Sequence, residues 1–236
     1  MLLNRLFSHL KKSWYSYLLE VIVVVLGILI ALALDNWNED RKLAETEVLV
    51  LKEIDQGLQR LMWEVESNLE EEKTARSSGE FILRNFENRG GVTDSLQTAL
   101  TKVWFYTYIQ PDYGPYEYVN TYGASVIQNV TLREKILELY GLDVRATVGE
   151  SNIRARYIED LRLQMGQWYT SWNANPYRLV PTQPRDYKKL REDPIFRYHL
   201  NSQLSECTRW IAELSGLRLV ISELRNEVAE EIHRRD

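Results

Sequence analysis

Few side chains in this sequence have the type and spacing for chemistry. Three histidines and one cysteine stand in 236 residues. His199 and Cys207, eight residues apart on one helix, would lie roughly 12 Å apart, too far for a shared metal or a nucleophile–base pair. Carboxylates are abundant, as in Glu70-Glu71-Glu72 and Glu230-Glu231, but such runs on helices read as solvated faces. No G-x-S-x-G, H-E-x-x-H, P-loop or dinucleotide fingerprint occurs, and no enzyme activity, metal or cofactor is expected. Asn129-Val130-Thr131 fits a glycosylation sequon, but Thr131 reads as a helix cap, so the match is taken as chance.

Two features stand out. One is aromatic: Trp104, Tyr116 and Tyr122 in one stretch, Trp168 and Trp172 in another. They could wall a pocket for a sugar, a cation or a peptide; the alternative is that they pack a crossover against the end of a bundle. The other is Glu20, the one ionisable residue in Tyr15–Leu34. At 100° per residue it shares a helix face with Gly27 and Ala31, a small-xxx-small pattern. The face reads as a helix–helix contact with Glu20 buried in it, or as ordinary membrane residues with Glu20 reaching the headgroups.

Elements must position these groups. Val21–Leu34 has fourteen residues without a polar side chain. Residues 15–37 provide a membrane-spanning helix of sufficient length, with Trp14 and Trp37 as interface anchors. A cleaved signal ending at Ala31-Leu32-Ala33 is the rival, but Glu20 stands where its apolar region would begin. Arg5, Lys11 and Lys12 precede the span without an acid, whereas Arg41 and Lys42 follow it among acids. The positive-inside rule then puts residues 1–14 in the cytoplasm and 38–236 in the periplasm.

Prolines occur only at 111, 115, 176, 181, 184 and 194, which permits long helices between two punctuated regions. Stripes at steps of three and four run from Ala44 to Leu69 and from Leu200 to Ile232, the latter behind an Asp193 cap and Pro194. The first stripe fades near Glu70–Lys73; Ser77-Ser78-Gly79 could break the helix, but continuation to Gly90-Gly91 is favoured. Thr93-Asp94 caps a short helix over 95–104. Lys102–Ile109 ends a helix or runs extended. Thr131 starts another helix with Leu132, Ile136 and Leu139 inward, and Ile153, Tyr157, Leu161, Met165, Trp168 and Trp172 form a further stripe. Cys207 falls on the last stripe as a small core residue. The expectation is all-α: one N-terminal transmembrane helix, then an antiparallel bundle of about four helices.

The charge of −5 argues against nucleic-acid binding. Taking the five cations and four anions of residues 1–42 from totals of 29 and 34 leaves the rest of the chain at 24 against 30, so anionic lipid is not expected to attract its whole surface.

Residues 20–42, with Glu20, Val23-Val24-Val25, Gly27-Ile28-Leu29-Ile30-Ala31-Leu32, Asp35-Asn36-Trp37-Asn38-Glu39 and Arg41-Lys42, resemble the opening of a bacterial family known as a domain of unknown function, numbered six thousand and ninety. That family more often places Gly where Leu19 stands. A second match runs through Tyr116-Glu117, Gly123, Ile127, Asn129, Leu132-Arg133, Ile136 and Tyr140. The resemblance implies a single-pass envelope protein of Gram-negative bacteria with a mostly helical exterior, and no activity. The expected role is a membrane-anchored interaction or scaffold module at the inner membrane, assembling with itself or a partner membrane protein. The alternatives are a ligand sensor using the aromatic pocket and an accessory subunit of an ion-driven membrane complex.

Overall fold

The structure, a computed structural model, describes residues 2–171 and 180–235, with side chains given throughout except at 2–14, 16 and 122–125. It divides into two compact units, Met1–Leu49 and Val50–Asp236. One helix, α1 (Leu2–Glu87), starts in the first and ends in the second.

In the first unit the apolar run is helical and its side chains are exposed. One helix among the described residues is long and apolar enough to cross a membrane; its best 18-residue window has a mean hydropathy of 2.9 and none of it is buried. Trp37 is exposed, with the Arg41 guanidinium 5.8 Å from its ring centre.

The second unit is mostly helical. After α1 come α2 (Asp94–Lys102), α3 (Gly114–Val126) and α4 (Val130–Glu138). A π-helical turn, Leu139–Asp143, joins α4 to α5 (Val144–Met165). A short antiparallel pair follows, β1 (Tyr169–Ser171) with β2 (Gln183–Pro184), then α6 (Tyr187–Glu192) and α7 (Pro194–Arg235). The β pair is a small exception in a structure that is mostly helical, as the all-α expectation has it. Pro181 and Pro184 bar a helix there, and the segment docks on α2 instead: Thr182 N–H donates to Thr101 Oγ1 at 2.9 Å and to the Gln97 carbonyl at 3.2 Å.

The caps explain the boundaries. Thr93 and Asp186 accept backbone N–H groups of α2 and α6, and Asp193 Oδ1 accepts those of Ile195 and Phe196 at 2.8 and 3.2 Å. The cap of α4 is Asn129, whose Oδ1 takes the Leu132 N–H at 3.2 Å, and not Thr131. Lys102 closes α2 and the following residues to Tyr113 run without regular structure. The Ser77-Ser78-Gly79 stretch leaves α1 intact, and both serine hydroxyls bond back to the Thr74 carbonyl. Gly79 serves a close approach: a Cβ there would fall 2.8 Å from Leu204 Cδ2 and 3.1 Å from Val103 Cγ2.

Three long helical runs carry this unit: α1 from residue 50, α4 through α5, and α7. Their directions follow from the contacts. Asp55 pairs with Arg225 and Gly79 abuts Leu204, so α7 is antiparallel to α1. Lys135 meets Glu227, Glu150 meets Arg209 and Tyr157 meets His199, so α4–α5 is antiparallel to α7. Gly57 lies under Tyr140 and Glu72 pairs with Arg154, so α4–α5 is parallel to α1. Where a bundle of about four antiparallel helices was expected, the described residues of this unit form three long runs with the short α2, α3 and α6 beside them.

The core has two apolar clusters. One gathers Leu51, Ile54, Leu58, Ile136, Ile221 and Leu224; the other gathers Ile82, Phe86, Leu100, Leu161, Phe196 and Leu200. Each such residue stabilises the fold by roughly 1.5–3 kcal/mol on burial.

Candidate functional site

Between the clusters, each long helix contributes polar side chains to the interior: Glu72 from α1, Arg154 from α5, Gln203 and Cys207 from α7. Arg154 holds Glu72 through two hydrogen bonds of 2.9 Å, with the two side chains 6% and 1% exposed. This bidentate geometry is the strongest form of carboxylate pairing. The guanidinium also lies 5.0 Å from the ring centre of Trp210. Gln203 Nε2 donates to the Val103 carbonyl at 3.1 Å and contacts Cys207 Sγ at 3.6 Å. Burial pushes the Cys207 thiol up from its ordinary value, and the nearby Glu72 carboxylate adds to that, so the thiol stays protonated and Cys207 packs as a small core residue.

Beside this layer, α5 and α7 enclose a cleft of about 390 Å³, within the usual size of small-molecule sites. Ile153, Ile158, Tyr157 and Tyr198 supply its apolar surface, and Arg154 and Gln203 reach its wall from the interior. Arg209 spans its edge, binding Glu150 at 2.5 Å, Glu206 at 2.7 Å and Glu213 at 2.6 Å. The sequence stripe put Ile153 inward; it is exposed, and its neighbour Arg154 takes the buried position. None of these cleft residues was a sequence candidate. Their one local signal was the pairing of Glu206 and Glu213 with Arg209 at helical spacing.

Among the described residues the aromatic candidates fall in two separate clusters. Trp104 and Trp168 share the second cluster, both edge-on to Phe196. Their indole N–H groups are used internally: Trp104 donates to the Tyr169 hydroxyl at 3.0 Å and Trp168 to Asp193 Oδ2 at 2.8 Å. Tyr116 packs on the first cluster, stacked on Tyr140 at 5.8 Å under the Arg145 guanidinium. Tyr140 is buried, its hydroxyl has no hydrogen-bond partner among the described residues, and burial pushes its pKa up to about 12. The side chains of Tyr122 and Trp172 lie outside the described residues. So do those of Trp14. On the membrane candidate face, Glu20, Gly27 and Ala31 are all exposed, and nothing lies within 4 Å of a Cβ added at Gly27.

A further buried carboxylate was not legible in the sequence. Glu231, 2% exposed, accepts Asn129 Nδ2 and Arg234 Nη1 at 2.8 Å on one oxygen and Arg235 Nε at 2.8 Å on the other. Burial raises its pKa, but these donors outweigh that and hold it below the ordinary glutamate value. Asn129 therefore caps α4 and ties it to the end of α7 at once. Among the described residues no three His, Cys, Asp or Glu side chains group to hold a metal.

At this level the fold defines a helical protein with one helix apolar and long enough to span a bilayer. Compared with protein-family models, curated proteins and solved structures, the chain matches none. The resemblance carried by residues 20–42 and 116–140 rests on those residues alone.

Proposed function

We propose that this chain is a membrane-anchored helical interaction module, held at a bacterial inner membrane with residues 1–14 cytoplasmic and its helical unit periplasmic. The observation that carries the reading is the wholly unburied apolar span. Those side chains need lipid or another helix around them. The basic residues before the span support the orientation. Assembly through the face of Glu20, Gly27 and Ala31 is part of the reading, because small residues let two backbones approach and a carboxylate at that depth gains from a partner. The same reading takes in the proposed kinship with the family of unknown function. Two of that motif's residues, Asn129 and Arg133, hold the elbow between α3 and α4 through Glu231 and the Ile127 carbonyl.

Two measurements test this. A reporter active only in the cytoplasm, fused after Asp236, stays silent; strong signal overturns the orientation. In a membrane-association assay on the full chain, Gly27→Leu weakens association by adding bulk where backbones meet, and Glu20→Gln weakens it less. Association unchanged by Gly27→Leu removes the proposed contact face.

A second reading, ligand sensing, is favoured by one observation, the cleft between α5 and α7.

A further inference from the structure

The long helix α7 buries one face, from Leu200 through Cys207, Leu214 and Ile221 to Val228. Its opposite face also keeps a register. Ser205, Ala212, Leu219 and Asn226 recur every seven residues and are all exposed. Thr208, Ser215, Ser222 and Ala229 follow each of them by three, and only Ser215 is half-buried. Alternating steps of three and four are the seam of a coiled coil, here over roughly 36 Å. No residue of this seam is charged, although charges are the rule on a solvated helix face. Three of its hydroxyls, on Ser205, Thr208 and Ser215, donate to carbonyls one turn back at 3.1, 2.8 and 2.6 Å. A neighbour can therefore cover them without leaving a donor unmet.

The charges beside the seam choose the neighbour. Arg218 and Arg225 stand on one flank; Glu223 and Glu230, each five residues after an arginine, stand on the other. Five residues on one helix put two side chains about 140° apart, so these do not pair with each other along α7. Arg218, Glu223 and Glu230 have no ion-pair or hydrogen-bond partner among the described residues; Arg225 reaches Asp55 at 3.0 Å. Set two copies of α7 side by side, in the same direction and register. Arg218 then meets Glu223 of the second copy and Arg225 meets Glu230 of the second copy, each twice by symmetry. Run in opposite directions, the flanks bring arginine to arginine and glutamate to glutamate. The other flank pairs of the parallel register are Leu204 with Arg209 and Ile211 with Gly216, so no like charges meet. Asn226, on the seam, is the kind of polar residue that fixes register in a two-stranded coil.

We propose that this face of α7 docks a second copy of the chain, α7 against α7, parallel and in register. The contact goes beyond the one proposed at Glu20, Gly27 and Ala31 and does not depend on it.

The test uses the full chain in a nonionic maltoside detergent. Ser222→Cys sets a thiol on the seam against its own counterpart, within disulfide reach. Oxidation with copper phenanthroline links it into a dimer on a non-reducing gel. Ser67→Cys, exposed on α1, and the parent chain, whose Cys207 is buried, stay monomeric. Arg218→Glu and Glu223→Arg, both at the surface, each weaken self-association about tenfold in sedimentation equilibrium, with the melting midpoint unchanged. The double variant exchanges the charges and returns association to within about threefold of the parent. Gly27→Leu leaves the cross-link at residue 222 in place, so failure of the anchor contact and failure of this one are read separately. A cross-link that is absent at 222, equally strong at 67 or lost with Gly27→Leu overturns the proposal, as does a double charge exchange no better than the single variants.

Discussion

Arg154→Met tests the buried polar layer most directly. The substitution keeps the length and packing of the stem but leaves the Glu72 carboxylate, 1% exposed, without its two 2.9 Å donors. The Thr107 hydroxyl, 3.4 Å from Glu72 Oε1, is a weak replacement. Removing one partner of such a pair costs about 3–5 kcal/mol, and the lost stacking on Trp210 adds about 0.5–2 kcal/mol. In a unit of this size 1 kcal/mol moves the melting midpoint by roughly 2–4 °C, so a drop of roughly 7–28 °C is expected. Glu72→Leu alone strands Arg154 and costs a similar amount. The double variant, Glu72→Leu with Arg154→Met, removes both charges from the interior and restores most of the loss, because desolvation of the pair no longer opposes folding. Thermal unfolding of the full chain in detergent, followed by circular dichroism, gives all four corners of the cycle. If either single variant costs under about 1 kcal/mol, or the double variant costs the sum of the singles, the pair is not coupled as described.

Asp193→Ala removes a helix cap worth about 1 kcal/mol and the Trp168 hydrogen bond, for a total near 2 kcal/mol, whereas Asp193→Asn recovers part of it; equal melting midpoints for all three chains would refute the cap. Burial raises the Asp193 pKa, but the Trp168 indole and the Phe196 and Ile195 N–H groups outweigh it and hold it below the ordinary aspartate value. Glu231 is depressed as well, and so is Asp112 by the Gly114 N–H and Arg60. Depressed carboxylates contribute stability that is present above their unfolded pKa and lost as pH falls through the folded value, so the melting midpoint holds above about pH 5 and drops below about pH 4; a midpoint insensitive to acid would contradict this. Gly79→Ala destabilises by about 1–2 kcal/mol, overpacking against Leu204 and Val103 exceeding the gain in helix propensity, while Gly149→Ala, with open space around it, stabilises by up to about 1 kcal/mol; the reverse order in urea unfolding would sink the packing account. Cys207 resists maleimide in the folded chain and reacts on denaturation; rapid labelling of the native chain would refute its burial.

The register of residues along each helix was largely legible. The stripe from Val48 to Leu69 is buried as the spacing implies, and the Thr93 and Asp193 caps stand where the residue types put them. These are local properties: an apolar stripe on a 3.6-residue period and a side chain bonding three residues ahead follow from the chain's own geometry. The misreadings share one cause. The stripe on α1 faded at Glu70–Lys73 because the inward position belongs to Glu72. On α5 the inward residue is Arg154 beside Ile153, and on α7 Gln203, Trp210 and Glu231 take places that Leu204, Ile211 and Ile232 hold in the apolar pattern.

By itself, then, the sequence determined one helix apolar enough for a bilayer and a set of helices with mostly correct inward faces. Only the tertiary structure decided which polar side chains go inside, that α5 runs parallel to α1, and that a cleft opens beside Arg154 and Gln203. A charged group can be buried only against its partner, and the partner of Glu72 lies 82 residues away; Glu231 has Arg234 and Arg235 on its own helix, but its third donor, Asn129, lies 102 residues away. No periodicity within one helix carries that information, because the stabilising contact exists only once the helices are side by side.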